Sequence, residues 1–162
     1  MNKTDRELIS LLQQDSRLTP KKLAAAAGIS EDEAKKRVRA LEESGVIVRY
    51  TAIVNADELD EEVEALIEVK VTPQRGYGFD KIAREIAAHS EVKNLYLMSG
   101  GYDLAVIVSG SSLREVSRFV SEKISTYDTV ISTATHFILK KYKVEGAEMT
   151  GGEGAARLSV QA

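Results

Sequence analysis

Three residues, Gly28-Ile29-Ser30, separate two segments that each carry the signals of a helix, and so short a joint restricts how the two can pack. In the upstream segment Thr19-Pro20 supplies an N-cap and a proline at the first helical position. Leu23 and Ala24 to Ala27 follow, and Gly28 suits the left-handed residue that ends a short helix. In the downstream segment Ser30-Glu31-Asp32-Glu33 reads as a capping box, and Ala34, Val38 and Leu41 recur at i, i+4 and i+7 before Gly45 closes the run. An earlier capping box, Thr4-Asp5-Arg6-Glu7, predicts a helix starting at Asp5 with Leu8, Ile9, Leu11 and Leu12 on its apolar face. Two helices on a tight glycine-containing turn, braced by a first, make a helix-turn-helix domain over residues 1–50. In that motif the second member of the pair lies in the major groove of DNA, so the third helix is the expected reader.

The charges of that third helix are divided. Its first turn is acidic, with Glu31, Asp32 and Glu33, and the next is basic, with Lys35, Lys36, Arg37 and Arg39. Glu31–Lys35, Asp32–Lys36 and Glu33–Arg37 are i,i+4 pairs in the favourable orientation, and carboxylates at a helix start complement its dipole, so the segment is a stable helix with or without DNA. Two readings of the acidic turn stand. One of the three carboxylates accepts a hydrogen bond from cytosine N4, or all three order the helix while Ser30, Lys35, Lys36, Arg37 and Arg39 meet the DNA. The second is favoured, because phosphate contacts supply most of the affinity and the basic residues are the ones able to make them. Lys21, Lys22 and Arg49 are further phosphate candidates, with solvated surface as the alternative.

After Gly45 the hydrophobic period changes from 3.6 to 2. VIVRYTAIVN (46–55) is β-branched and alternating and predicts a strand leaving the domain, with polar NADELDEE (55–62) as the linker. Val63, Ala65, Ile67, Val69 and Val71 then alternate with Glu64, Glu68 and Lys70 as a strand with one buried face. Ile82, Ala83, Ile86 and Ala87 form a helical stripe, and VKNLYLM (92–98) a second strand. Gly100-Gly101 signals a hairpin turn with positive φ. The order repeats in a strand at 104–108, a helix from about Ser112 carrying Leu113, Val116, Phe119, Val120 and Ile124, and a strand at 130–139. This is an α+β chain whose residues 63–145 form a βαββαβ, ferredoxin-like sheet with both helices on one face. Strands 95–98 and 104–108 are apolar at consecutive positions, which asks for a cover on the second face, and a second subunit is the simplest one. Gly146, Gly151, Gly152 and Gly154 mark an expected flexible tail over 146–162.

Composition narrows the function classes. The 162 residues contain no cysteine, which removes thiolate metal sites, disulfides and cysteine nucleophiles and suits a reducing cytoplasm. No apolar stretch reaches the length of a signal or membrane segment, so no membrane partner is expected. Residues 1–50 hold ten Lys/Arg against eight Asp/Glu, and the remainder twelve against seventeen, so the small positive excess sits where DNA is expected. No phosphate loop, H-E-x-x-H or catalytic carboxylate pair stands out. His89 at a helix end and His136 on a strand are too far apart in sequence to suggest a metal site, so neither a cofactor nor enzymatic activity is expected.

With both halves assigned, the chain from Thr4 to about Val144 resembles the Lrp/AsnC (feast/famine) family of transcription regulators. The resemblance rests on Asp5, LLQQDSRLTPKKLA, GIS, KRVRALEESGVI, SGGYDLAVIVSG and VISTATHFILK, in that order. It implies a (winged) helix-turn-helix followed by a ligand-sensing domain, dimers that assemble further, and amino acids or related metabolites as effectors. The acidic turn departs from it, since the family more often has small residues, Pro or Thr at those positions. The resemblance also implies an effector site near the loop between the second and third strands of the sensing domain, matched by Ser99, Gly100, Gly101, Tyr102 and Asp103. Ser132, Thr133 and Thr135 match a second segment near it. Backbone N–H groups beside glycine suit a carboxylate and Asp103 an ammonium; a plain hairpin is the alternative. A rival function on the same architecture is a haem-biosynthesis (siroheme-type) decarboxylase, against which the basic third helix and the scarcity of histidine speak.

Overall fold

The computed structural model describes residues 1–55 and 63–149, and the chain divides into two units, Met1–Ile53 and Val54–Ala162. Most of the expected linker (56–62) and the tail from residue 150 lie outside the described residues.

The first unit contains α1 (Lys3–Gln14), α2 (Pro20–Ala27) and α3 (Glu31–Glu43). Asn2, not Thr4, caps α1: its Oδ1 accepts from the Asp5 N–H at 2.8 Å, and Asp5 Oδ2 accepts from the Asn2 N–H at 3.1 Å. Asn-x-x-Asp offers the same reciprocal pair as Thr-x-x-Glu, and asparagine is the stronger cap of the two. Thr19 Oγ1 accepts from the Lys22 N–H at 3.4 Å and Ser30 Oγ from the Glu33 N–H at 3.2 Å, so α2 and α3 begin where expected. Only the serine half of the second box forms, because the Glu33 side chain turns to Arg37. Gly28 at φ +65° ends α2, and the Ile29 N–H donates to the Ala24 carbonyl at 3.1 Å. Leu8, Leu12, Leu23, Ala24 and Ala34 meet in the core this turn allows.

Residues 46–55 carry no strand, contrary to their alternation. A strand needs a neighbour to complete its ladder, and the described part of this unit contains no other. Two hydrogen bonds tie the segment to α3 instead. The Ile47 N–H donates to the Leu41 carbonyl at 3.0 Å, and Tyr50 Oη donates to Glu42 Oε1 at 2.8 Å.

In the second unit β1 (Val63–Val71), α4 (Asp80–Ala87), β2 (Val92–Leu97), β3 (Leu104–Gly110), α5 (Leu113–Phe119) and β4 (Val130–Phe137) follow in the expected βαββαβ order. The sheet is antiparallel in the order β2-β3-β1-β4, with Ala65 opposite both Val108 and Phe137. Ala65, Ile67 and Val69 of β1 and Leu104, Val106 and Val108 of β3 face Ile82, Ile86, Val116 and Phe119 of the helices. A π turn, Val120–Ile124, continues α5. Its wider loop, closed by Ser125 N–H to Val120 carbonyl at 2.8 Å, keeps both Val120 and Ile124 buried.

The opposite face carries Leu66, Glu68, Ala105, Ile107, Tyr96, Ala134 and His136, and no described helix lies on it. Tyr96 is 51 % and Leu97 58 % exposed, so β2 is not buried on both sides within one chain. Residues 146–149, expected in the tail, belong instead to a hairpin of β5 (Lys143–Val144) and β6 (Ala147–Glu148). Gly146 lies in its turn at φ +84°, and the hairpin ends on the buried Met149.

Nothing lies within 4 Å of the position a Cβ would take at Gly28, so a side chain there costs only its backbone strain. Gly28→Ala is expected to destabilise the first unit by about 1–2 kcal/mol, and Gly28→Asn by less. The check is the urea midpoint at unchanged slope.

Candidate nucleic-acid interface and effector loop

Helical periodicity sorts the side chains of α3 into three faces. Ala34 and Leu41 are buried and Val38 packs beside them. Glu33 and Arg37 turn toward α1, where Arg37 Nη1 lies 2.9 Å from Asp5 Oδ1 and Nη2 lies 2.7 Å from Glu33 Oε1. Asp32, Lys36, Arg39 and Glu43, spaced i, i+4, i+7 and i+11, form the exposed stripe on the far side.

This arrangement separates the sequence-predicted DNA contacts. Arg37 is engaged within the unit: its side chain is 28 % exposed and held between two carboxylates, where it braces α1 to α3. Ser30 is occupied as the helix cap. Lys35 is exposed but paired with Glu31 at 2.8 Å, a contact that holds the lysine's pKa above and the carboxyl's below its ordinary value. Arg39 pairs with Glu43 at 2.8 Å on the open surface, where such pairs are weak and exchange readily. The side chains of Lys36, and of Lys21 and Lys22 in the first turn of α2, are exposed and make no ion pair among the described residues. The expected Asp32–Lys36 pair does not form.

Two contacts were not visible in the sequence. The Asp5–Arg37 bridge spans thirty-two residues, beyond any local pattern. Tyr50 lies eight residues from Glu42, and burial first, then the Glu42 carboxylate, pushes its hydroxyl pKa up to about 12.

In the second unit the loop after β2 is not a glycine-driven turn. Neither Gly100 nor Gly101 has positive φ, and a Cβ at either meets nothing within 4 Å. The loop is closed by Met98 N–H to the Asp103 carbonyl at 2.8 Å and by Asp103 N–H to the Val69 carbonyl at 3.1 Å. Asp103 Oδ2 accepts from the Val71 N–H at 2.9 Å, where the β1–β4 register slips between Lys70 and Val71. One carboxylate oxygen is thus structural. Ser99, Gly100 and Gly101 are exposed and Tyr102 is half-buried. Thr133 lies opposite Val69, level with this loop, but strand alternation points Thr133 and Thr135 to the helix-covered face and Ser132 to the open one. A single chain does not bring the eight residues around one cavity.

The two histidines have partners of their own. His89 Nε2 lies 3.1 Å from Tyr127 Oη and its ring meets Phe119 edge-on, while His136 Nε2 lies 3.3 Å from Glu68 Oε1. Among the described residues no group of three His, Cys, Asp or Glu is placed to hold a metal ion.

Comparison with known proteins agrees with this division of the chain. Residues 1–48 match a winged helix-turn-helix DNA-binding family model, and residues 64–148 match the Lrp/AsnC ligand binding domain. The HTH-type transcriptional regulator YugG of Bacillus subtilis, itself uncharacterized, is 44 % identical over 99 % of this chain and 98 % of its own. The regulator FL11 of Pyrococcus furiosus is 27 % identical over 86 % of this chain and 89 % of its own. Among solved structures, Escherichia coli AsnC aligns with a TM-score of 0.69 at 22 % identity, covering 89 % of this chain and 95 % of its own. A Neisseria meningitidis regulator in complex with L-Met aligns at 0.72 and 22 % identity, covering 89 % and 93 %.

Arg37→Ala and Asp5→Asn are each expected to lower the thermal midpoint of the first unit, and the double variant to lose less than the two effects added. Additive effects would remove the bridge. The Asn2 N–H first, then Arg37, holds the Asp5 carboxyl below its ordinary 3.8. The fold therefore favours the ionised form: the contribution is full above the ordinary value and is lost as pH falls through the depressed one. Asp5→Asn should flatten that acid limb of a pH–stability curve. In the second unit, Asp103→Ala leaves the Val71 N–H without its acceptor and is expected to cost about 1–3 kcal/mol in a urea titration.

Proposed function

The chain belongs to the Lrp/AsnC family of DNA-binding transcriptional regulators, and from that premise we propose which of its residues bind DNA and what its second unit senses. Lys36 carries the DNA reading. It is a free cation on the exposed stripe of the helix that follows a tight turn, and Lys21 and Lys22 stand free at the start of the preceding helix. Lys35 and Arg39 join them by exchanging weak surface carboxylate partners for phosphate, while Arg37 and Ser30 hold the helix in place. The relatives are named as regulators, and this sets aside the tetrapyrrole decarboxylase reading.

The second unit binds an amino acid or related metabolite at the loop from Ser99 to Asp103, with Ser132, Thr133 and Thr135 nearby. The likeness to the L-Met complex supports this reading. So does the chemistry of the loop, where exposed backbone beside Gly100 and Gly101 suits a carboxylate. Because one chain leaves these residues dispersed, the site is completed by a second copy. That copy seats on the open sheet face around Leu66, Ile107 and Tyr96, which makes the regulator a homodimer or larger. Effector and DNA are coupled by the effector's unequal affinity for two assembly states. The absence of cysteine, with no described helix long and apolar enough to cross a membrane, supports a cytoplasmic location.

Fluorescence anisotropy with the native upstream duplex and a scrambled one, across a salt series, tests the DNA assignment. Specific binding is expected, with a log–log slope of about −0.9 per phosphate contact. Lys36→Ala should lower affinity for both duplexes and reduce the slope by about one contact. An unchanged slope removes Lys36, and no binding at low salt removes the reading itself.

A further inference from the structure

The first turn of α3 carries three carboxylates, Glu31, Asp32 and Glu33. Two of its carboxylates are occupied, Glu31 by Lys35 at 2.8 Å and Glu33 by Arg37 at 2.7 Å. Asp32 is the remaining one. Its side chain is exposed and makes no hydrogen bond or ion pair among the described residues, although Lys36 stands one turn further along the same stripe. It lies in the first turn of the reading helix, the part that contacts base edges in this motif.

We propose that Asp32 is a base-reading residue whose carboxylate accepts a hydrogen bond from the exocyclic N4 amine of a cytosine in each half-site. The inference rests on the DNA-binding reading above and adds to it the source of sequence preference. An ionised carboxylate only accepts, so in the major groove it needs a donor. Cytosine N4 and adenine N6 are the two donors. The adenine amine sits beside the N7 acceptor, which repels a carboxylate, and so cytosine is selected. Opposite guanine or thymine the charge of Asp32 finds no donor, opposite adenine it meets the N7 acceptor beside the amine, and in each case it stands near phosphates that repel it. Its contribution is therefore discrimination and not affinity. Lys36, at i+4, supplies the neighbouring phosphate contact that keeps the first turn of the helix in the groove.

The experiment selects bound duplexes from a randomised pool with the full chain. Affinities for the best site and its single-base variants are then measured for wild type, Asp32→Asn, Asp32→Ala and Glu31→Ala. Wild type should prefer cytosine at one position per half-site by about 5- to 150-fold over the other bases. Asp32→Ala should lose that preference while binding random duplex more tightly than wild type. Asp32→Asn keeps the side-chain shape and should move the preference to adenine, whose N6 and N7 an amide matches. Glu31→Ala should keep the cytosine. A cytosine preference that survives in both Asp32 variants, or a wild-type site with no cytosine position that responds to them, overturns the inference and leaves the regulator standing. Failure of wild type to enrich any duplex overturns both.

Discussion

Arg37 lies between Asp5 and Glu33, 2.9 and 2.7 Å from their oxygens, and its bridge to Asp5 ties the rotation of α3 to α1 in the sense that burial of Ala34 and Leu41 also requires. Its Nε is buried without an acceptor, so the two carboxylates supply the charge compensation that keeps the side chain in place. With the rotation set, Ala34 and Leu41 turn inward and Asp32, Lys36, Arg39 and Glu43 turn outward. Every assignment in the DNA-binding unit follows from this orientation. A basic residue at the centre of the most cationic turn serves as a brace, and its neighbour one position back becomes the free cation.

The second unit has a comparable dependence on β1. That strand pairs on both sides, with β3 and β4, so its register governs three of the four strands. The pairing of β1 with β3 ends at Val69 and Leu104, and the next N–H on that side of β1, that of Val71, is met by Asp103 Oδ2 at 2.9 Å. The loop that bears the candidate effector residues is therefore anchored to the central strand at one carboxylate oxygen. On the proposed reading, a ligand at Asp103 acts on a residue already bonded to β1.

What could be read from the sequence was what depends on near neighbours. Caps, periodicity and the Gly28 turn act over three to seven residues, and Thr19, Ser30 and the alternation of β1 appear where those rules put them. The misreadings have a common physical origin in longer range. The engagement of Arg37 by Asp5 was not legible, because the partner is thirty-two residues away. Residues 46–55 looked like a strand because β-branched alternation reports what a strand prefers and not whether a neighbour exists. Gly100 and Gly101 lie in the β2–β3 hairpin connection as expected but without positive φ, because Asp103, reaching Val69 and Val71, closes the loop. At α1 two capping boxes overlap, and the stronger cap, Asn2, prevailed over Thr4.

The outward stripe of α3 carries two carboxylates and two cations, so its formal charge cancels. The cations of such a helix reach only a few phosphates, and the carboxylates beside them oppose the approach. One such helix binds weakly to any sequence, and less of its binding is lost to the excess of competing sites. Useful affinity then has to come from engaging two helices at once, where a linked second half-site acts at high effective concentration without any new contact. The mixed charge of this short segment and the dispersal of the candidate effector residues in one chain thus point to the same requirement. On the proposed reading, both the affinity for DNA and the response to a metabolite are properties of an assembly, and an effector that shifts the assembly shifts the affinity with it.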